Sequence, residues 1–214
     1  MLQNLETQGW NYLPGKSCIV LVAPDRSAAN EMIEYAYEWL KAIANVWGEV
    51  VIRWKGCRRG FKVKAEKSAL QADSIKQIIE VQQVFGTALT GIHKPLIKVL
   101  ERMVDSKYPM SLVRMSDDRQ LWVNSPMVQL LETTPAEATE RILTDFWLPG
   151  DLENLKQKVL QCDARTGFDH RYEAGFSPKT WARLYAHFDR IDDGGYRLAT
   201  TYEWTPVPHP VLSK

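Results

Sequence analysis

Three groups of residues in this chain have chemical potential. The first is Gly15-Lys16-Ser17 in "LPGKSCIVLVAPD". A glycine-rich loop ahead of Lys-Ser cradles phosphate when its backbone N–H groups converge and a helix follows. Here the preceding glycine, Gly9, lies six residues before Gly15 rather than five, and Cys18 to Val22 reads as a β-branched strand. The spacing therefore predicts a turn entering a buried strand. The second group is basic: Arg53, Lys55, Arg58, Arg59, Lys62, Lys64 and Lys67 face one acid, Glu66, with Trp54 and Phe61 interleaved. Cations neutralise a phosphate backbone and rings stack on bases, so Arg53, Arg58, Arg59 and Lys62 are the candidate nucleic-acid contacts. A solvated hairpin explains the same pattern. The third group is Cys18, Cys57 and Cys162, widely spaced, with no CxxC pair and no Cys/His cluster. They read as ordinary thiols of a reducing compartment, with no metal site. No nucleophile, base and orienting acid occur at a recognised spacing, so no catalytic residue is assigned and the chain is expected not to be an enzyme.

The elements that must position these groups follow from periodicity. At 214 residues and 45% hydrophobic content the chain is long enough for two packed domains. Residues 1 to 104 carry 14 Lys/Arg against 10 Asp/Glu, and residues 105 to 214 carry 13 against 16. That mild asymmetry argues against a general nucleic-acid binder. "PDRSAANEMIEYAYEWLKAIANVWG" predicts one helix capped by Ser27 and stopped by Gly48, with Met32, Tyr35, Trp39, Ile43 and Val46 as its apolar stripe. "EVVIRWKGCRRGFKVKAEK" predicts two strands around a Gly-bounded turn. From Ala72 to Val104, Ile75, Ile78, Gln82, Phe85, Leu89, Ile92, Leu96, Val99 and Met103 follow steps of three and four, a seam that wants a partner helix. Gly86, Gly91 and Pro95 interrupt it, so the expectation is a kinked or broken helix joining the halves. Phe85, Leu89, Ile92 and Leu96 are the candidate homodimer contacts. The sequence has neither a signal-like leader nor a run of about 18 apolar residues, which predicts a soluble cytoplasmic protein with no membrane partner.

In the second half, Met110 to Met115 and Gln120 to Val123 read as strands around an Asp117-Asp118 turn. Ser125 is the expected cap of the next helix with Pro126 at its first position, and Thr134-Pro135-Ala136-Glu137 is a capping box. A helix starting near Pro149 has Leu152, Leu155, Val159 and Leu160 on its apolar side. Three strands close the chain, "GFDHRYEAGF", "TWARLYAHFDRI" and "YRLATTYEW".

This order and these motifs resemble a PAS domain over about residues 108 to 205. "DDRQLWVNSPMVQLLETTPAEA" is similar to the family's opening, a D-G-x-hydrophobic turn leading to V-N-x-A and then to a "TPEEL"-like helix. "LPGDLENL" is similar to its "HPEDRERL", and "DHRYEAGFSPKTWARLYAHFDRI" to its "EYRLRRKDGSWRWV" hairpin. Arg119 stands where the turn usually has glycine, and "SPKTW" replaces the usual Asp-Gly turn. The resemblance implies an α+β fold: a five-stranded antiparallel sheet with short helices across one face, enclosing a core that sometimes holds a ligand. Leu130, Phe146, Leu184, Ala186 and Phe188 are the candidate core ligand contacts. Alternation places Ala182, Leu184, Ala186 and Phe188 on the core face, where the two alanines leave room either for a small apolar molecule or for a neighbouring helix. Trp181, Arg183, Tyr185 and His187 share the other face, where Trp181 and Tyr185 are candidate interface residues.

The cofactor is unknown. LOV-type relatives place a reactive Cys in N-C-R-F before the last helix, and "RILTDFWLPGD" has none, which argues against that flavin chemistry; Cys162 comes too late. Haem relatives often use a His on the last helix, and Leu152 to Gln161 has none; His170 lies on a strand beside Asp169. The expected organisation is a small α/β domain at 1–71, a helical linker with a possible dimerisation role at 72–107, a PAS-like sensory domain at 108–205 and a tail at 206–214. The expected function is sensory or regulatory signal transduction, with a small ligand or protein partner bound by the PAS-like half and the change passed through the linker. A kinase, cyclase or phosphodiesterase output would need more chain. The alternatives are a nucleic-acid-binding regulator using the 53–67 hairpin and a ligand-free interaction scaffold.

Overall fold

A computed structural model describes residues 5–15, 18–65, 72–177 and 180–208. They divide into two compact units: the described residues up to Ala65 with Ser74–Ile97, and Ala72 and Asp73 with those from Lys98 onward.

The first unit is a four-stranded sheet in the order β1-β2-β3-β4, from β1 (Asn11–Pro14), β2 (Ile19–Val22), β3 (Glu49–Arg53) and β4 (Phe61–Lys64). The outer pairs are antiparallel and β2 runs parallel to β3, so the β2-to-β3 connection must cross a sheet face. Two helices make it, α1 (Arg26–Tyr35) and α2 (Tyr37–Trp47). The expected single helix is thus broken at Ala36, whose φ of −120° leaves the helical region. Tyr35 becomes exposed instead of joining the stripe, while Met32, Leu40 and Ile43 pack with Ile19, Leu21, Val50 and Ile52 in the core. The cap is also corrected: Asp25, not Ser27, accepts the Ala28 N–H at 2.9 Å. Gly48 ends α2 as expected, at φ 88°.

The seam segment folds as three helices, α3 (Ala72–Phe85), α4 (Thr87–Thr90) and α5 (Lys94–Asp105). Gly86 and Gly91 make the breaks, at φ 81° and 65°. Pro95 breaks nothing, because it lies in the first turn of α5, where its missing N–H has no helical acceptor to lose. Gly91 also meets a packing demand. A Cβ there would come within 2.8 Å of Trp47 Nε1, which donates to Leu89 O at 2.9 Å.

The second unit has the architecture implied by the resemblance. Strands β5 (Met110–Arg114) and β6 (Arg119–Val123) form a hairpin, followed by α6 (Ser125–Leu130), α7 (Pro135–Glu140) and α8 (Pro149–Gln161). Strands β7 (Phe168–Ser177), β8 (Thr180–Ile191) and β9 (Tyr196–Val207) complete an all-antiparallel sheet in the order β6-β5-β9-β8-β7. The Thr134 capping box forms as expected, but Asn124, not Ser125, caps α6. Asn124 is 4% exposed and fully used. Its Oδ1 accepts from Met127 N at 3.1 Å and Met110 N at 2.9 Å, and its Nδ2 donates to Met103 O at 3.0 Å and Tyr108 O at 2.9 Å. One side chain so ties the end of α5, the following loop, β5 and α6. On α8, Leu152, Leu155 and Val159 are buried, whereas Leu160 is exposed. On β8, Ala182, Leu184, Ala186 and Phe188 are all buried.

Candidate ligand cavity

The inner face of the second sheet and the segments that cross it line a partly open cavity of about 60 Å³. Its apolar wall comes from Met127 and Leu130 on α6, Phe146 and Trp147 ahead of α8, Leu184 and Phe188 on β8, and Ala199 on β9. The 146–147 segment is pinned over it by backbone. Gly175 N donates to Phe146 O at 2.7 Å, and the Trp147 ring stacks on Tyr172 with centroids 4.3 Å apart. Of the residues expected from the sequence, Leu130, Phe146, Leu184 and Phe188 line this space. Ala186 is buried in the same core but does not reach it, and Ala174 and Ala199 supply the small side chains instead.

The polar wall is where the geometry departs from an ordinary core. Arg197 on β9 lines the cavity and is 1% exposed. Its Nη1 lies 3.5 Å from Asp118 Oδ1, too far for a good hydrogen bond, and 3.4 Å from Met115 Sδ, while Nη2 has no hydrogen-bond partner. Burial pushes the guanidinium pKa down, and Asp118 opposes that shift. Asp118 is itself buried and accepts from Lys156 Nζ at 3.0 Å through Oδ2, leaving Oδ1 without a hydrogen bond. Asp118 also explains the missing turn glycine: the left-handed residue is Asp118 itself, at φ 53°, and not Arg119. Asp tolerates that region better than most residues, and here its carboxylate faces buried Arg197 and part-exposed Lys156. Tyr172 is pushed up to about 12 by burial, so it stays a neutral hydroxyl beside Thr201; Thr201 Oγ1 makes no bond of normal geometry. Arg141 also lines the cavity, with its guanidinium 4.0 Å from the Phe146 ring centroid; burial lowers its pKa, and Glu137 opposes that shift.

Arg197, Asp118, Lys156 and Tyr172 were not expected from the sequence. The period-two pattern of "YRLATTYEW" does put Arg197 on the face of Ala199 and Thr201, so a signal existed, but an arginine in such a strand reads first as solvent-facing.

The remaining candidates lie elsewhere. Leu89, Ile92 and Leu96 are buried within one chain, and the Phe85 side chain lies outside the described residues. Trp181 is buried as well. Tyr185 is half-buried; its hydroxyl donates to Asp169 at 2.8 Å, and His187 Nδ1 lies 2.8 Å from the same carboxylate. Around it the sheet presents Tyr108, Tyr202 and Trp204, 38%, 40% and 49% exposed, with Tyr202 edge-on to Tyr108 at 5.1 Å. In the first unit, Arg53, Arg58, Arg59 and Lys62 are exposed, and Lys62 pairs with Glu49 at 2.9 Å. Trp54 and Phe61 pack on the core, which leaves less ring surface for base stacking. Lys16 and Ser17 of the Gly-Lys-Ser motif lie outside the described residues. Cys18, Cys57 and Cys162 are part-buried free thiols, and burial pushes Cys162 up. Burial also pushes the imidazole of His170 down.

The sheet order, with its helices between the second and third strands, decides the fold. Residues 110–207 carry a PAS-type fold. No protein-family model and no curated protein matches the sequence. Solved PAS-type structures resemble about half of the chain. A Rhodobacter sphaeroides LOV protein is 11% identical over 51% of this chain and 66% of its own, with a TM-score of 0.42. The PAS domain of an HTR-like protein from Haloarcula marismortui is 12% identical over 51% of this chain and 95% of its own, at 0.35. A domain of a sensory box sensor histidine kinase/response regulator from Geobacter sulfurreducens is 10% identical over 50% and 91%, at 0.37. These likenesses concern the fold alone, and the PAS-type description rests on the strands and helices of this chain. Among the described residues no helix is long and apolar enough to cross a membrane.

Proposed function

We propose that the PAS-type unit is a sensory module that binds a small ligand in its core and passes the change through α5 toward the first unit. The observation that carries this is the cavity of about 60 Å³ with a buried arginine left one partner short. Covalent and hydrogen-bonded contacts support a route out of it. Met127 and Leu130 line the cavity from α6, Asn124 caps α6, and the same Asn124 holds Met103 O on α5. Arg102 on α5 pairs with Asp189 on β8. A ligand moves α5 only by as much as it prefers one arrangement of this set over another. The test is hydrogen exchange across residues 94–105 in the wild type and in Ala199→Leu, which fills the cavity as a permanent occupant. Changed protection in α5, beyond the local change in β9 that carries the substitution and in its neighbour β5, supports the coupling. Identical α5 exchange in a folded Ala199→Leu protein sinks it.

A protein partner is the second reading. Tyr108, Tyr202 and Trp204 present ring surface of the kind enriched in interfaces, and they, rather than the covered Leu89, Ile92 and Leu96, would meet a second copy or another protein. A mass in solution that falls from dimer to monomer on Tyr202→Glu/Trp204→Glu supports self-association there, and a monomer in the wild type removes it.

A further inference from the structure

We propose that the cavity takes a small monoanion, a short-chain carboxylate, with Arg197 as the residue that binds its charge; this rests on the ligand-sensing reading above. Charge, geometry and size each point the same way.

The charges around the cavity do not cancel. Arg197 and Lys156 share one carboxylate, Asp118, and Lys156 takes it at 3.0 Å while Arg197 stands back at 3.5 Å. The buried Arg197 thus shares its counter-charge with a part-exposed lysine and is left without a close partner for Nη2. One added carboxylate would supply the close partner that Arg197 lacks. Buried cations that are not fully paired are rare in a core, because the desolvation they suffer is recovered only through close, hydrogen-bonded partners.

The geometry offers the anion a place. Arg197 reaches the cavity wall with Nη2 unbonded, and a guanidinium is built to pair with a planar carboxylate. Tyr172, neutral at any physiological pH, and Thr201, with no bond of normal geometry, add hydroxyls to the same wall. Beside the polar groups, from β8 and β9 of the same sheet, stand Leu184, Phe188 and Ala199, which suit a short alkyl chain. The size sets the limit. About 60 Å³ exceeds the roughly 10–15 Å³ that one water needs, and falls far below the roughly 300–1,000 Å³ of sites for drug-sized molecules. A molecule of a few heavy atoms fits, and the obvious competitor is water.

The experiment is a thermal-unfolding and calorimetric titration of the full chain with sodium formate, acetate, propionate and butyrate. Acetamide and 1-propanol serve as neutral probes of similar size, and sodium chloride and nitrate as inorganic anions. The expected result is saturable stabilisation by at least one carboxylate, absent with acetamide, 1-propanol and chloride. Arg197→Met should weaken that carboxylate by about 10- to 100-fold, the loss of a charge-assisted pair. If Arg197→Met does not fold, Thr201→Val and Ala199→Leu keep the test open: the first should weaken the carboxylate severalfold and the second should abolish its binding. Binding of acetamide or propanol as tight as that of the carboxylate would overturn the anion assignment while leaving a ligand cavity in place. A response to nitrate alone would overturn the carboxylate class. No response to any probe in a folded protein would overturn this inference. If Ala199→Leu then also leaves α5 exchange unchanged, the sensory reading goes with it.

Discussion

Asn124→Ala is the perturbation with the most calculable consequence. The side chain makes four hydrogen bonds of 2.9–3.1 Å and is 4% exposed, so no water replaces it without entering the core. A typical intramolecular hydrogen bond is worth about 0.5–1.5 kcal/mol net, and loss of a helix cap alone costs about 1 kcal/mol. Four such bonds give a destabilisation of about 2–6 kcal/mol. The loss should also have an address. The amides of Met110 and Met127 lose their acceptor, so their hydrogen-exchange protection should fall more than that of neighbouring amides. Asn124→Asp separates the two halves of the network. It keeps the acceptor for both amides but turns a carboxylate toward Met103 O and Tyr108 O. That repulsion should raise the pKa of the new carboxyl above its ordinary value. The folded state then binds the proton more tightly than the unfolded one, and the variant should regain stability as pH falls through the raised pKa. Urea unfolding with circular dichroism, at pH 7 and pH 5, reads both effects. An Asn124→Ala protein within about 0.5 kcal/mol of wild type would show that this network does not hold the unit together.

Asp118→Gly removes the left-handed strain at φ 53° but strips the counter-charge from Arg197, and the second effect should win, with a net loss of about 2–4 kcal/mol in urea unfolding. A neutral or more stable variant would mean that Asp118 does not balance Arg197. Asp117 is held at about 2 by the hydrogen bond from Arg114, with both side chains about 40% exposed. Its contribution is present above about pH 4, is lost as pH falls through about 2, and stays below about 1 kcal/mol because solvent screens the pair. The gap in unfolding midpoint between wild type and Asp117→Asn should therefore narrow steadily as pH falls from about 4 to about 2, and a constant gap would refute the assignment. Gly91→Ala forces a side chain into a left-handed turn against Trp47, for a loss of about 1–3 kcal/mol in the first unit, read by the fluorescence of its unfolding. Wild-type stability would show that the Trp47 packing yields easily.

Much of this fold was legible because its signals are local. The T-x-x-E box at Thr134, Pro149 at a helix start, Gly48 at a helix end and the period-two strands from Phe168 onward each depend on a few neighbouring residues. Where the sequence reading failed, competition between near-equivalent local signals was decided by packing. Asp25 and Ser27 are both good caps, as are Asn124 and Ser125. In the second pair Asn124 prevails because its amide can also serve Met103 and Tyr108, contacts invisible in a linear string. The seam from Ile75 to Met103 kept its apolar period, yet two glycines at positive φ divided it. At the cavity, apolar contacts such as Leu184 and Phe188 could be named from alternation. The buried Arg197 could not, since its counter-ion, Asp118, and the Lys156 that shares that carboxylate are distant in sequence and only the fold brings them together.

The central claim is that the PAS-type core holds a small ligand. Native mass spectrometry tests it most directly, on full-length protein equilibrated with the small-molecule fraction of its own host cells and compared with its denatured mass. The account predicts a folded mass above that of the bare chain by one small, acidic molecule, and loss of that increment in Ala199→Leu. A bare folded mass after equilibration, in wild type and variant alike, would contradict it.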